Sequence, residues 1–274
     1  MSTRVLALVL ALAFSSVALA EAAPWEIHPE WAKEFSDRAV AGSMLVYDER
    51  DNRYLVFDRA RAEKRFTPAS TFKVFNALVA LETGAIKDEY EVIRWDGVKR
   101  GMENWNRDQS LASAMKFSAV WFYQEMARRA GAPRMQAWID QVGYGNRDIG
   151  GGIDRFWLDG GKLRISALEQ IGFLRRLAEG GLPFSPQAQE AVRRITIVDA
   201  APDYILHAKT GWALRAAADG KHDLGWIVGW VERDGRRWFF AMNMDMSRGD
   251  ADAAQRLPLA RAILMRSGAL PTAP

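Results

Sequence analysis

The chain has 274 residues and no cysteine, which excludes disulfides, thiolate catalysis and cysteine-based metal sites. Its 37 basic and 34 acidic side chains are spread along the sequence and leave a formal charge of +3, without the basic block that a nucleic-acid partner requires. The 11 tryptophans are scattered rather than interleaved with Lys and Arg, so they read as core or subsite residues and not as a base-stacking platform.

Taken in order, the first 20 residues hold Arg4, an apolar run over 5–12 and the small-residue close Ala18-Leu19-Ala20. This predicts a cleavable signal peptide over 1–20, followed by a single domain over 21–274 that is exported to the periplasm. No later stretch is long and apolar enough to span a bilayer, and no cysteine is present for lipidation, so no membrane anchor is expected. Alternation predicts two strands over 42–48 and 53–58, joined by the polar turn 49–52.

Residues 68–84, PASTFKVFNALVALETG, predict one nearly all-apolar helix that ends at Gly84. Ser70 and Lys73 are three residues apart on its first turn, so hydroxyl and amine share one face. Burial disfavours a charged lysine, which makes the pair a nucleophile beside a potential base. A surface serine and a snorkelling lysine would give the same spacing, and Ser113-Ala114-Met115-Lys116 repeats it.

Further helices are expected within 110–131, over 134–142, and from 166 to about 179 behind the capping box Ser166-Ala167-Leu168-Glu169. Strands follow over 206–213, 224–233 and 237–246, with Asp234-Gly235 as a hairpin turn, and a helix over 253–267 comes last. Strands at both ends and helices between them predict an α+β fold. An antiparallel sheet drawn from both termini would carry an inserted helical lobe, with a cleft between the two lobes.

Beyond Ser70-x-x-Lys73 the sequence offers Ser118-Ala119-Val120, Tyr144-Gly145-Asn146, Phe156-Trp157-Leu158 and Lys209-Thr210-Gly211-Trp212, in that order. In this order and these surroundings the chain resembles the class D, oxacillinase-type serine β-lactamases, from about Trp95 through the final helix. Class A enzymes would carry S-D-N at 118–120 and a glutamate for the deacylating water. Glu169 is the nearest such glutamate, and its place in a capping box makes it a helix cap instead.

The resemblance implies hydrolysis of β-lactams through a Ser70 acyl-enzyme. Carbon dioxide or bicarbonate would convert Lys73 into a carbamate (N6-carboxylysine) that acts as the base, with Trp157 as its anchor and Val120 and Leu158 restricting water around it. It further implies Ser118 as a proton relay assisted by Lys209, backbone N–H groups of Ser70 and Trp212 as oxyanion donors, and Arg256 with Thr210 and Gly211 at the substrate carboxylate. Tyr144 is expected to be structural.

No metal is expected, because His28, His207 and His222 lie far apart, and no bound cofactor is implied. The partners are small-molecule β-lactams, with a homodimer admissible. A penicillin-binding D,D-peptidase and a lactam-sensing binding domain are the alternatives, both disfavoured by the missing anchor. The connection over 213–223, with Arg215 in it and Leu214 and Met102 at the pocket rim, implies a penicillinase and oxacillinase with weak carbapenem turnover.

Overall fold

The computed structural model describes residues 23–217 and 219–272, so the expected signal peptide lies outside the described residues. The strands among them form one sheet: β1 Trp25–Ile27, β2 Gly42–Asp48, β3 Arg53–Phe57, β4 Ile197–Ala201, β5 Tyr204–Ala213, β6 Asp223–Arg233 and β7 Arg236–Met246. Their spatial order is β1-β3-β2-β7-β6-β5-β4, and every pairing is antiparallel except β1 with β3. The ends of the chain therefore meet at the centre of the sheet, where β2 pairs with β7 through Val46 and Phe240.

The helices are α1 Ala32–Ser36, α2 Arg59–Glu63, α3 Lys73–Glu82, α4 Leu111–Phe117, α5 Val120–Ala130, α6 Ala132–Val142, α7 Ala167–Ala178, α8 Pro186–Ile195 and α9 Asp250–Arg266. Because side chains alternate along a strand, the sheet serves two cores. Trp226, Val228 and Trp230 of β6 pack with the inserted helices, while Ile227 and Val231 pack with α9. The α+β architecture read from the sequence is the observed one.

Several boundaries differ, each for a local reason. The helix expected over 68–84 begins as a 3-10 turn, Ala69–Phe72, before α3 takes over, and Ala69 adopts a φ of 48°. Thr71 holds this turn by donating from Oγ1 to Pro68 O at 2.7 Å. The region 110–131 is two helices, because Ser118 enters the left-handed region at φ 55° and breaks the run between α4 and α5. The last helix starts at Asp250, three residues before the expected 253.

Neither β1, β4 nor α8 was expected. The α8 helix carried a readable signal, since Ser185 accepts the Ala188 N–H at its start and Pro186 occupies the first turn. The hairpin at Asp234-Gly235 is observed, with φ values of 52° and 68° that suit the twist of the flanking strands.

Candidate active site

The 3-10 turn places Ser70 at the lip of α3, half-buried, one residue after the strained Ala69. Sparsely populated backbone conformations of this kind persist where surrounding structure enforces them, and they cluster at functional sites. Lys73 is completely buried, with Nζ 2.8 Å from Ser70 Oγ and 2.9 Å from Ser118 Oγ, and it donates to Ser118 O at 2.6 Å. Burial first, and the Lys209 charge second, hold this amine well below the usual lysine range. Two hydroxyls thus share one amine whose charged form burial disfavours.

The break at Ser118 is what makes this convergence possible. A continuous helix through 118 would carry its carbonyl along the helix axis, whereas the left-handed residue turns both Oγ and O toward Lys73. Lys209 is 5% exposed on β5, and burial followed by the Arg256 charge lowers its pKa to about 7. Its strand runs close beside the Ser70 turn because residue 211 is glycine. A Cβ there would lie 3.1 Å from Pro68 O and 3.2 Å from Thr71 Cγ2.

The second S-x-x-K pattern is not a site of this kind. Ser113 closes a capping box with Ser110 and sits 2.6 Å from Gln109 Oε1, and Lys116 is exposed on the surface. Spacing alone could not separate the two patterns; burial does.

Residues 42–265 match the family model described as the penicillin binding protein transpeptidase domain. The chain is 44% identical over 231 residues to β-lactamase OXA-48 of Klebsiella pneumoniae, covering 84% of this chain and 85% of that protein. It is 42% identical over 233 residues to β-lactamase OXA-10 of Pseudomonas aeruginosa, covering 85% of each. Among solved structures, the class D β-lactamase YbXI from Nostoc superposes with a TM-score of 0.83 at 42% identity, covering 88% of this chain and 99% of that one.

The chain belongs to the class D β-lactamases. It is a serine hydrolase of β-lactams, and neither the D,D-peptidase nor the lactam-sensing alternative matches these relatives.

In this β-lactamase a cleft of about 490 Å³ is lined by Ser70. Of the residues singled out from the sequence, it gathers Ser118, Val120, Thr210, Gly211, Trp212 and Arg256 in its lining, with Met102 and Leu214 at its rim. Arg256 reaches the cleft across Gly225, where a Cβ would lie 3.2 Å from its Cδ. Its guanidinium donates from Nη1 to Gly211 O at 2.5 Å and from Nε to Ala253 O at 2.8 Å. Burial brings its pKa down to about 10, so it stays charged at neutral pH.

Leu158 does not line the cleft; it packs against the helical-side core. Trp157 is fully buried and stacks on Phe72 at 5.2 Å, and its indole N–H has no partner among the described residues. The Trp212 indole is engaged elsewhere, donating to Asp223 Oδ2 at 2.8 Å. Glu169 accepts the Ser166 N–H at 2.9 Å while Ser166 Oγ accepts the Glu169 N–H at 3.1 Å, which is the predicted capping box, and it also pairs with Arg65. Tyr144 lies in a cluster with Phe72 and Phe75, and burial raises its pKa.

Sequence reasoning missed Trp105, Phe117, Asp159 and Asp250. Trp105 and Phe117 form a wall of the cleft, tied together where Trp105 Nε1 donates to Phe117 O at 2.9 Å. Asp159 accepts the Leu214 N–H at 2.9 Å and so fastens the rim to the Trp157 loop across 55 residues. Only Trp157 two residues earlier hinted at it, because the contact is long-range.

Proposed function

We propose that this enzyme opens β-lactams by acylation of Ser70, and that Lys73 serves as the general base in the form of a carbamate. The observation that carries this reading is the fully buried Lys73 amine, 2.8 Å from Ser70 Oγ and held below the lysine range by burial. Only a neutral amine reacts with carbon dioxide, and burial favours that form. The residues present fit the modified lysine: Trp157 supplies a buried indole donor without a partner among the described residues, stacked on the phenylalanine that precedes Lys73. The carbamate would supply an anionic oxygen base for both the acylating hydroxyl and the deacylating water.

The chain's own residues account for the remaining roles. Ser70 Oγ loses its proton as it bonds to the lactam carbonyl carbon, the activated-serine arrangement of covalent catalysis. Backbone N–H groups of Ser70 and Trp212 hold the oxyanion, with Gly211 allowing β5 its close approach. As the lactam C–N bond breaks, the nitrogen takes a proton from Ser118 Oγ, which in turn regains the proton that the base took from Ser70, and Lys209 lowers the cost of that transfer. Water then adds to the ester carbonyl carbon, the ester C–O bond breaks, and Ser70 Oγ regains its proton.

Arg256 binds the substrate carboxylate, since its two hydrogen bonds among the described residues use Nη1 and Nε and a guanidinium carries five N–H donors. Thr210 adds a hydroxyl beside it. Val120, on the cleft wall, and Leu158, behind it, restrict water near Lys73. Penicillins and oxacillin are the preferred substrates, with carbapenems turned over weakly.

Export to the periplasm follows from the sequence pattern over 1–20. Among the described residues no helix is long and apolar enough to cross a membrane. The domain is one two-lobed unit from residue 21 onward.

Carbon-13-labelled bicarbonate tests the base directly. A carbamate resonance should appear in the wild type and vanish in Lys73→Ala. Degassing at mildly acidic pH should lower activity until bicarbonate is returned; no resonance and no bicarbonate response would assign the base to another group.

A further inference from the structure

Arg256 is the one basic side chain and Asp250 the one acidic side chain that line the cleft among the described residues. Met102, Trp105, Phe117 and Val120 contribute apolar side chains to the same lining. An acidic residue in the first turn of α9 has an ordinary explanation, because it complements the helix dipole. In this helix Asp252 already performs the local structural work. It is fully buried, with Oδ2 accepting the Ser247 and Arg248 N–H groups, both at 2.8 Å, and Oδ1 accepting Arg248 Nε at 2.8 Å.

Asp250 is exposed instead, and no hydrogen bond or ion pair of its carboxylate occurs among the described residues. Nor do the described residues show it paired with Arg256, whose guanidinium donates to Gly211 O and Ala253 O. A carboxyl group without an ion pair among the described residues therefore lines the same cleft as the Arg256 guanidinium and belongs to the same helix.

In a cephem nucleus the carbon that bears the carboxylate is bonded directly to the carbon that bears the second ring substituent. A cephem whose carboxylate is held by Arg256 therefore has that substituent within the same cleft that Asp250 lines. We propose that Asp250 is a specificity-determining residue that favours cephems whose substituent next to the carboxylate carries a positive charge, and disfavours those in which it is uncharged. The inference rests on Arg256 as the carboxylate subsite. Solvent-screened charges of this kind change efficiency by about 2- to 5-fold.

Cephaloridine and cephalothin share one acyl side chain and differ in carrying a pyridiniomethyl or an acetoxymethyl group at this position. With Asp250→Asn, kcat/KM should fall for cephaloridine and rise for cephalothin, so that their ratio drops about 2- to 5-fold. Added salt should move the wild-type ratio toward that of the variant. Asp250→Ser, which retains a residue suited to a helix start, should shift the ratio the same way. A ratio that stays constant, or two efficiencies that move by one common factor as a structural effect on α9 would produce, overturns the proposal.

Arg256→Ala separates the two layers of the argument. Unchanged KM for both substrates overturns the carboxylate assignment and this proposal with it. Raised KM values together with an unmoved Asp250→Asn ratio overturn the role of Asp250 alone.

Discussion

The buried layer behind the cleft floor and the rim of the cleft are built on opposite physical terms. Lys73 is 0% exposed and Lys209 5%, and the Lys73 amine is fixed between two serine hydroxyls by hydrogen bonds of ordinary length. At the rim, Met102 is 56% exposed and Leu214 59%. Groups whose protonation state matters have to be dry, because burial is what moves a lysine toward neutrality. Groups that choose among substrates need only border the path of the ligand, and an exposed side chain there can be exchanged at little cost in stability. A hydrogen bond fastens the rim to the loop that carries Trp157, from Leu214 N–H to Asp159 Oδ1.

The sharpest test of the floor is Ser70→Ala, expected to cost about 10⁴-fold or more in kcat. Intact-mass measurement after brief exposure to a slow substrate should show one adduct in the wild type and none in the variant; an adduct mapping to Ser113 would reject the assignment. Trp157→Phe keeps an aromatic ring against Phe72 but removes the pyrrole part of the indole with its N–H. Loss of a hydrogen bond to a charged group predicts an activity decrease of about 10- to 100-fold, with a higher bicarbonate concentration needed for half-maximal activity. If that concentration does not move, the indole has no part in holding the base.

Cutting the tie between floor and rim should have a smaller effect. Asp159→Ala frees the Leu214 segment, and KM for oxacillin should rise about 2- to 10-fold while acylation of Ser70 persists. On the wild-type preparation, imipenem should show a lower kcat/KM than oxacillin; equal or higher efficiency would refute the reading of the 213–223 connection.

The burial of the lysines also has a signature in stability. Lys209 has a folded pKa of about 7 against an ordinary 10.5, and Lys73 is displaced the same way. Between those values the unfolded chain binds protons that the native one does not, so stability rises with pH across that window. Below about pH 7 the Lys209 contribution levels off, because both states bind that proton. Urea unfolding at several pH values from 7 to 10 should show this slope, and Lys209→Met should flatten it.

Much of the floor was legible in advance because its signals are local. Ser70 and Lys73 are neighbours on one turn, Lys209-Thr210-Gly211 is a short strand segment, and the Ser166–Glu169 box is read from four residues. The rim was less legible. Asp250 carries no local sign of lining a substrate cleft, and Asp159 meets Leu214 only across 55 residues. The break at Ser118 was also missed, since a helix pattern continues on both sides and only the partner at Lys73 accounts for the left-handed residue.

The sequence by itself determined the period of each major strand and helix, the apolar character of α3, and the spacing that sets a hydroxyl beside an amine. Those properties follow from neighbours in the chain, which are fixed before folding. Only the tertiary structure decided which of two S-x-x-K pairs is buried, that Ser118 turns two oxygens onto Lys73, and that Gly211 and Gly225 give the Ser70 turn and the Arg256 side chain their close contacts. The reason is desolvation and steric exclusion: both depend on atoms brought together from distant parts of the chain, and neither is a property of any single stretch of it.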